Sequence, residues 1–494
     1  FAQRPSGEVA WVLVDALFQS GDWAAAYDYS DRASSLPARS SVRVDLVSAR
    51  ATILLWGAGQ GDQALATLSA MLDEPDMTEV DRARLVAQIG SVLVNIGRPG
   101  EAIAALADAA VSSDMQTRLG AAVSYTTALA LAGRTQEALT TIDRSIAERP
   151  ADTVRGVAAA DTFLVARAFA LAEAGRLQEA VELGERSYEQ AVLAGRTLSE
   201  FWFALGIGRC HLSRGAPQSA LRWFTRARAL GLDVGIPGPV RSALVGVVMS
   251  NSLLGNREAA LAASAEMETL PPFGFIAPEA LLAHGWAAVV AGDFPQARLL
   301  FSDVDDAVDT AHVTSAIWLL HEAARLGADV AARITELADT TDSPLSRSRA
   351  EHARALVARD RHALVAVADR FEQMGANLVA AEALNSAVDL ARSAGDQRAA
   401  TALAGRAQRV LERCEGAMSP ASVSVQDAVD PLTAREREIA FLAAGGMASR
   451  EIAERLYLSF RTVNNHLQHV YDKLGIRTRT ELRDAMHLDA TGGR

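Results

Sequence analysis

Apolar residues recur along most of this chain at the three-and-four spacing of an amphipathic helix, and the helical stretches so defined come in pairs. ALALAGRTQEALTTIDRSI and ALAEAGRLQEAVELGERSY show the unit: an apolar run, a glycine, a polar link, then a second run with alanine five residues after the glycine. Glycine ends the first helix because it enters positive φ cheaply, and the alanine lets the second helix lie close against the first. The pair recurs at Gly21 with Ala26, Gly59 with Ala64, Gly97 with Ala102, Gly133 with Ala138 and Gly175 with Ala180. It continues at Gly215 with Ala220, Gly255 with Ala260, Gly292 with Ala297, Gly327 with Ala332 and Gly395 with Ala400, Ala358 with Ala363 being a weaker copy. Steps of 31 to 42 residues predict a helix-hairpin solenoid over residues 1–414, in which no hairpin buries its apolar face alone.

Three stretches break the rhythm. Gly231–Val240 and Leu270–Pro278 carry glycines and prolines and are expected as longer inter-helix loops, with the lip of a ligand groove as the more adventurous reading. Trp202, Trp223, Trp286 and Trp318 nearby are expected in the core. Glu415–Pro431 is rich in small residues, which predicts a hinge, and residues 415–428 are assigned as linker.

After the linker the pattern changes to short, individually capped helices in a domain assigned to residues 429–494. Thr433 and Glu436 form a T-x-x-E capping box ahead of Ile439, Leu442 and Ala443, and Gly445 and Gly446 end that helix. Ser449 is expected to cap a second helix with Ile452, Ala453 and Leu456 inward, and Ser459 a third. In the third, Val463, Leu467, Val470 and Leu474 share one face, which turns Arg461, Asn465 and Gln468 outward with Asn464 and His469 on the flanks. Two short helices joined by a tight turn, the second with a polar outer face, is the layout of a DNA-reading helix-turn-helix. Amides pair with adenine edges and arginine with guanine or phosphate, so Arg461, Asn464, Asn465 and Gln468 are the candidate base readers. Thr462, His469, Lys473, Arg477 and Arg479 are the candidate contacts to the DNA backbone. His466 lies nearer the buried side, where packing or a hydrogen bond is expected. Asp472 points outward with Gln468, so the helix is expected to have left the groove by then.

The run LTAREREI, then SREIAERL, then LSFRTVNNHLQHVYDKLGIRTR resembles the C-terminal DNA-binding domain of LuxR-type transcriptional regulators. The resemblance implies that the third helix is the recognition helix and that a fourth, starting near Thr478 or Thr480, helps pair two domains on DNA. Asn464, Asn465 and Gln468 stand where such regulators often carry lysines, which leaves the target sequence open. The repeats resemble tetratricopeptide repeats, especially those of the helical sensor region of large LuxR-type regulators.

Composition narrows the function further. The net charge of −12 is uneven, because residues 430–494 hold ten Lys and Arg against nine Asp and Glu, so the acidity lies in the body. That excludes a protein that coats nucleic acid along its length. Cys210 and Cys414 stand alone, which predicts buried thiols in a reducing cytoplasm and neither a disulfide nor a metal site. The chain starts without a basic signal region or an apolar span, so no membrane association is expected, and its first residue, Phe1, leaves room for a preceding segment. No G-x-S-x-G or H-E-x-x-H occurs, and the single lysine, Lys473, is followed by Leu474, so there is no Walker A loop; no enzyme activity and no cofactor are expected.

The expectation is therefore an all-α chain, a tetratricopeptide-like solenoid followed by a four-helix LuxR-type domain, acting as a DNA-binding transcriptional regulator. Its expected partners are double-stranded DNA, a second copy on DNA, and RNA polymerase or a protein or small-molecule effector met through the body. The alternatives are a non-catalytic repeat scaffold and the C-terminal part of a larger ATP-dependent regulator.

Overall fold

The computed structural model describes residues 6–19, 23–33, 36–74, 76–149, 156–421 and 432–487. Twenty-seven α-helices and no strand occur among the described residues: twenty-three from Gly7–Gln19 to Gln397–Leu411 form the body, and four from Ala434–Ala444 to Arg479–His487 form a C-terminal head. The body is a tetratricopeptide-like stack of hairpins. Thr197–Arg214 and Pro217–Val234 show how a hairpin is made. Gly215 closes the first helix at φ +76°, and a Cβ there would run into Leu378 of a later hairpin. Pro217 opens the second helix at a position where its missing N–H costs nothing, and Ala220, with no exposed surface, brings the two together.

Ala64, Ala102, Ala138, Ala180, Ala260, Ala297 and Ala400 are likewise at most 2% exposed, so the alanine of the repeat is a close-packing position. Ala332 departs from this. The link after Gly327 is longer, the helix Ala331–Ala338 starts late, and Ile334 takes the buried place while Ala332 faces out. At the weak copy it is Arg359, at φ +51°, that turns the chain.

Of the two expected loops only one is a loop. Gly231 lies inside Pro217–Val234, and the next helix begins at Pro237, so the break there is Gly235 and Ile236 alone. Leu270–Pro278 does interrupt the helices and runs inward. Phe273 and Ile276 are buried, and the Phe275 ring lies 5.3 Å from Phe169 and 6.2 Å from Trp202. His312 holds this loop, bonding through Nε2 to the Phe275 carbonyl at 3.3 Å and through Nδ1 to Thr310 Oγ1 at 2.9 Å. Burial pushes its pKa down to about 4, so the ring is neutral; a carbonyl only accepts, so the proton sits on Nε2.

Later hairpins seat on earlier ones. Asp342 accepts bonds from Thr135 N and Thr135 Oγ1, both at 2.7 Å, Thr341 Oγ1 donates to Gly133 O at 2.6 Å, and Ser343 Oγ donates to Glu173 O at 2.6 Å. Buried ions fix the same junctions. Arg209 lies between Glu173, at 3.2 Å, and Glu279, while Arg325 lies between Glu322 and Glu382. Such groups gain little net stability after desolvation, but a misregistered stack would leave them unpaired. His321 and Glu322, and His352 with them, belong to this packed interior, and Cys210 and Cys414 are buried thiols.

The stretch expected as a hinge begins as a buried strap. Glu415 accepts from Ser219 N at 2.7 Å, Met418 N donates to Leu253 O at 2.6 Å, and Ser419 Oγ donates to Glu382. Ala417, Met418, Ser419 and Pro420 are buried, so the small residues that suggest flexible chain here let it thread a narrow cleft. The rest of the expected linker, 422–428, lies outside the described residues. The head rests on the body through Arg298 with Glu438 and Arg437 with Asp389, each at 3.3 Å, and through Leu442 beside Gly292.

Candidate nucleic-acid interface

The head is built by its caps. Its leading helix, Ala434–Ala444, starts from the expected capping box, with Glu436 N donating to Thr433 Oγ1 at 3.2 Å and Thr433 N to Glu436 Oε2 at 2.7 Å. The second helix, Ser449–Arg455, starts one residue earlier than expected: Ala448 is the cap position and Ser449 the first helical residue. Alanine has no acceptor, so the start is held from one side only, by Ala448 N donating to Glu451 Oε2 at 2.9 Å. Tyr457 at φ +52° makes the turn. Ser459 then caps Phe460–Leu474, accepting from Thr462 N at 3.0 Å, and Gly475 closes that helix at φ +65°. Thr478 caps Arg479–His487 by accepting from Glu481 N at 3.1 Å.

Within Phe460–Leu474, Val463, Leu467, Val470 and Leu474 are all buried. Arg461, Asn464, Asn465, Gln468 and His469 are exposed, so the structure brings the four candidate base readers onto one open face about two turns long. Asp472 is exposed beyond them and accepts from Gln468 Nε2 at 2.8 Å. His466 is half-buried, as its position in the pattern implied. Thr462 is half-buried at the helix start, its hydroxyl 2.7 Å from Ser459 Oγ. Arg477 is exposed on the link to the last helix.

The other two expected backbone contacts are turned inward. Lys473 Nζ lies 2.8 Å from Glu436 Oε2, tying Phe460–Leu474 to the capping box. Burial raises the Glu436 carboxyl, but Lys473 and the Thr433 N–H together bring it below its usual value. Arg479 donates through Nε to Ala443 O at 3.0 Å, which also accepts from Gly446 N at 3.1 Å, and through Nη2 to Met447 O, so it ties the end of the leading helix to the link that follows. Burial lowers its pKa, consistent with a guanidinium partly withdrawn from water.

Phe460 and Arg450, beside the turn that the sequence places at Tyr457, were not singled out from sequence. Tyr457 is 95% exposed, Phe460 is half exposed, and the Arg450 guanidinium lies 5.8 Å from the Phe460 ring. Arg450 sits in the first turn of Ser449–Arg455, the helix preceding Phe460–Leu474. A basic residue just after a cap was the available signal.

The family description "Bacterial regulatory proteins, luxR family" matches residues 430–486, the span of this capped bundle. Residues 430–486 are a LuxR-type helix-turn-helix domain. Over 53 residues the chain is 47% identical to an HTH-type transcriptional regulator of Mycobacterium tuberculosis, a match covering 11% of this chain and 6% of that protein. Over 94 residues it is 32% identical to the DNA-binding transcriptional activator DevR/DosR of the same species, covering 19% of this chain and 38% of that protein. Similarity to these relatives thus spans far less than two thirds of their length. The solved structure of a Rap protein complexed with Competence and Sporulation Factor superposes with a TM-score of 0.51 at 11% identity, over 68% of this chain and 99% of that one. That likeness shows the repeat fold. Phe460–Leu474 lies within that domain, and its exposed face is the one just described.

Proposed function

We propose that this protein is a DNA-binding transcriptional regulator whose LuxR-type domain reads the major groove and whose helical body senses an effector. The observation that carries the reading is the face formed by Arg461, Asn464, Asn465 and Gln468, exposed together on a capped helix within a LuxR-type domain. Amide and guanidinium groups supply the paired donors and acceptors that base edges in the major groove require. Thr462 and His469 beside that face, Arg477 on the link to the last helix and Arg450 on the preceding helix are assigned to the phosphates. Lys473 and Arg479 are assigned to holding the domain together, because their cationic groups are already engaged there.

One such domain makes few phosphate contacts, so two copies on adjacent half-sites about one helical turn apart form the specific complex. The acidity of the body keeps it off the duplex. We assign it to effector binding and, on DNA, to contact with RNA polymerase, in the cytoplasm. Among the described residues no helix is long and apolar enough to cross a membrane. Selection from a random duplex library with the full chain tests the reading: a recurrent two-half-site sequence is the expected result, and unselective recovery would overturn it.

A further inference from the structure

The body contains a cavity of about 210 Å³ between the helices Ser40–Trp56, Met115–Leu131, Gly156–Glu173 and Thr197–Arg214. Five aromatic rings wall it: Trp56, Phe169, Trp202, Phe203 and, from the inward loop, Phe275. It opens to solvent on one side, where Trp56, Phe169, Trp202 and Gly206 are half-buried and Thr162 is exposed. Here the sequence keeps it open at a specific point. Gly206 lies in the middle of Thr197–Arg214, where glycine costs helix stability relative to alanine, and a Cβ there would meet nothing within 4 Å. No packing demand accounts for the glycine, and the space its missing side chain leaves belongs to the cavity.

The chemistry of the wall is nearly neutral and largely apolar. Among the described residues its one charged side chain is Arg209, and Glu173 and Glu279 already engage that guanidinium. Cys210 is a neutral thiol, because burial pushes its pKa up to about 12. Ser91, Asn95, Ser124, Thr127 and Thr162 add polar groups at the wall, and among the buried polar atoms of the lining Trp56 Nε1 is the one with no hydrogen-bond partner, a donor in need of an acceptor.

We propose that this cavity is the body's effector site and binds a small, uncharged, mainly apolar molecule, on the order of ten non-hydrogen atoms, with an oxygen acceptor for the Trp56 indole N–H. The rings supply the contact area, the neutral wall excludes ions, and the loop held by His312 closes one side through Phe275. The inference rests on the sensory reading of the body and names its site and ligand class.

Coumarin is a suitable probe, being planar, uncharged and provided with a carbonyl, and titration into the full chain is followed by tryptophan fluorescence and calorimetry. Saturable one-to-one binding is expected. Gly206→Leu extends a side chain from a point where a Cβ meets nothing within 4 Å, and should weaken binding more than about tenfold, while thermal unfolding stays as high as in the parent. Trp56→Phe keeps a ring but removes the N–H, so it should weaken coumarin about fivefold or more and leave naphthalene, which has no acceptor, unchanged. Coumarin-3-carboxylate should bind at least about tenfold more weakly than coumarin. Absence of binding by both coumarin and naphthalene, undiminished binding in a folded Gly206→Leu chain, or equal affinity for the carboxylate would each overturn the proposal. The titration contains no DNA, so its failure leaves the DNA-reading claim standing, and an effector site elsewhere would show as effector-dependent DNA affinity that survives Gly206→Leu.

Discussion

Arg479→Ala separates a residue that grips DNA from one that holds the reading domain together. In the structure its guanidinium donates to Ala443 O and Met447 O, the carbonyls where the leading helix ends and turns toward the second. Hydrogen bonds from a charged donor contribute about 1.5 to 3 kcal/mol each. Arg479 is only partly buried, and Ala443 O keeps its bond from Gly446 N in the variant, so about 2 kcal/mol for the pair is the expected loss. In a domain of this size that corresponds to a fall of roughly 10 °C in the melting of the head. Hydrogen exchange on the full chain should show it locally, as faster exchange through residues 434–456 with the body unchanged. Fluorescence anisotropy on a selected duplex, titrated with salt, supplies the contrast. Removing a side chain that neutralises a phosphate would lower the slope of log affinity against log salt by about one. Removing a clamp internal to the domain leaves the slope as it was. Unchanged exchange together with a slope reduced by about one would refute the assignment and return Arg479 to the DNA backbone.

Asn465→Ala and Gln468→Ala should each cost about 1 to 3 kcal/mol on the best site and little on random duplex, measured by competition anisotropy; equal loss on both duplexes would mean the helix is turned differently in the groove. Lys473 and Glu436 should couple in a double-mutant cycle of stability, by about 1 kcal/mol, since Lys473 reaches a carboxylate that is 4% exposed as a residue; independent effects would dissolve the assigned link between reading helix and capping box. Acid should loosen the body through His312, whose folded pKa of about 4 lies below its ordinary 6.5. Between those values the unfolded chain binds the extra proton, so stability is full above about pH 6.5 and falls toward pH 4 by up to about 1.4 kcal/mol per pH unit for each such histidine. His312→Gln should reduce that slope by up to about 1.4 kcal/mol per pH unit in thermal melts across the same window, while His211, His321 and His352 keep their share.

The repeat and the reading domain were both legible in the sequence because each is specified locally. A glycine, a five-residue offset and an alanine define a hairpin, and Thr433 with Glu436, Ser459 and the row Val463, Leu467, Val470, Leu474 define capped helices and their buried sides. What stayed hidden depends on partners far away along the chain. Asp342 seats on Thr135 across 207 positions, and nothing in either segment names the other. The strap from Glu415 to Ala421 has a linker's composition, yet small residues fit a narrow cleft as well as they make a flexible chain. Gly231 looked like a helix breaker, but Val240 and Phe201 pack where its side chain would be, so the helix keeps it. Helical angle gives the direction in which Lys473 leaves its backbone, but not that the long side chain folds back to Glu436.

The most direct test is binding of the full chain to duplex DNA by anisotropy at low and at moderate salt, with Arg461, Asn464, Asn465 and Gln468 intact and then all replaced by alanine. The account predicts salt-dependent binding to a selected duplex, far tighter than to random duplex, with the preference abolished in the fourfold variant while weak unspecific binding remains. No duplex binding by the parent even at low salt, or a preference undiminished in the variant, would contradict it.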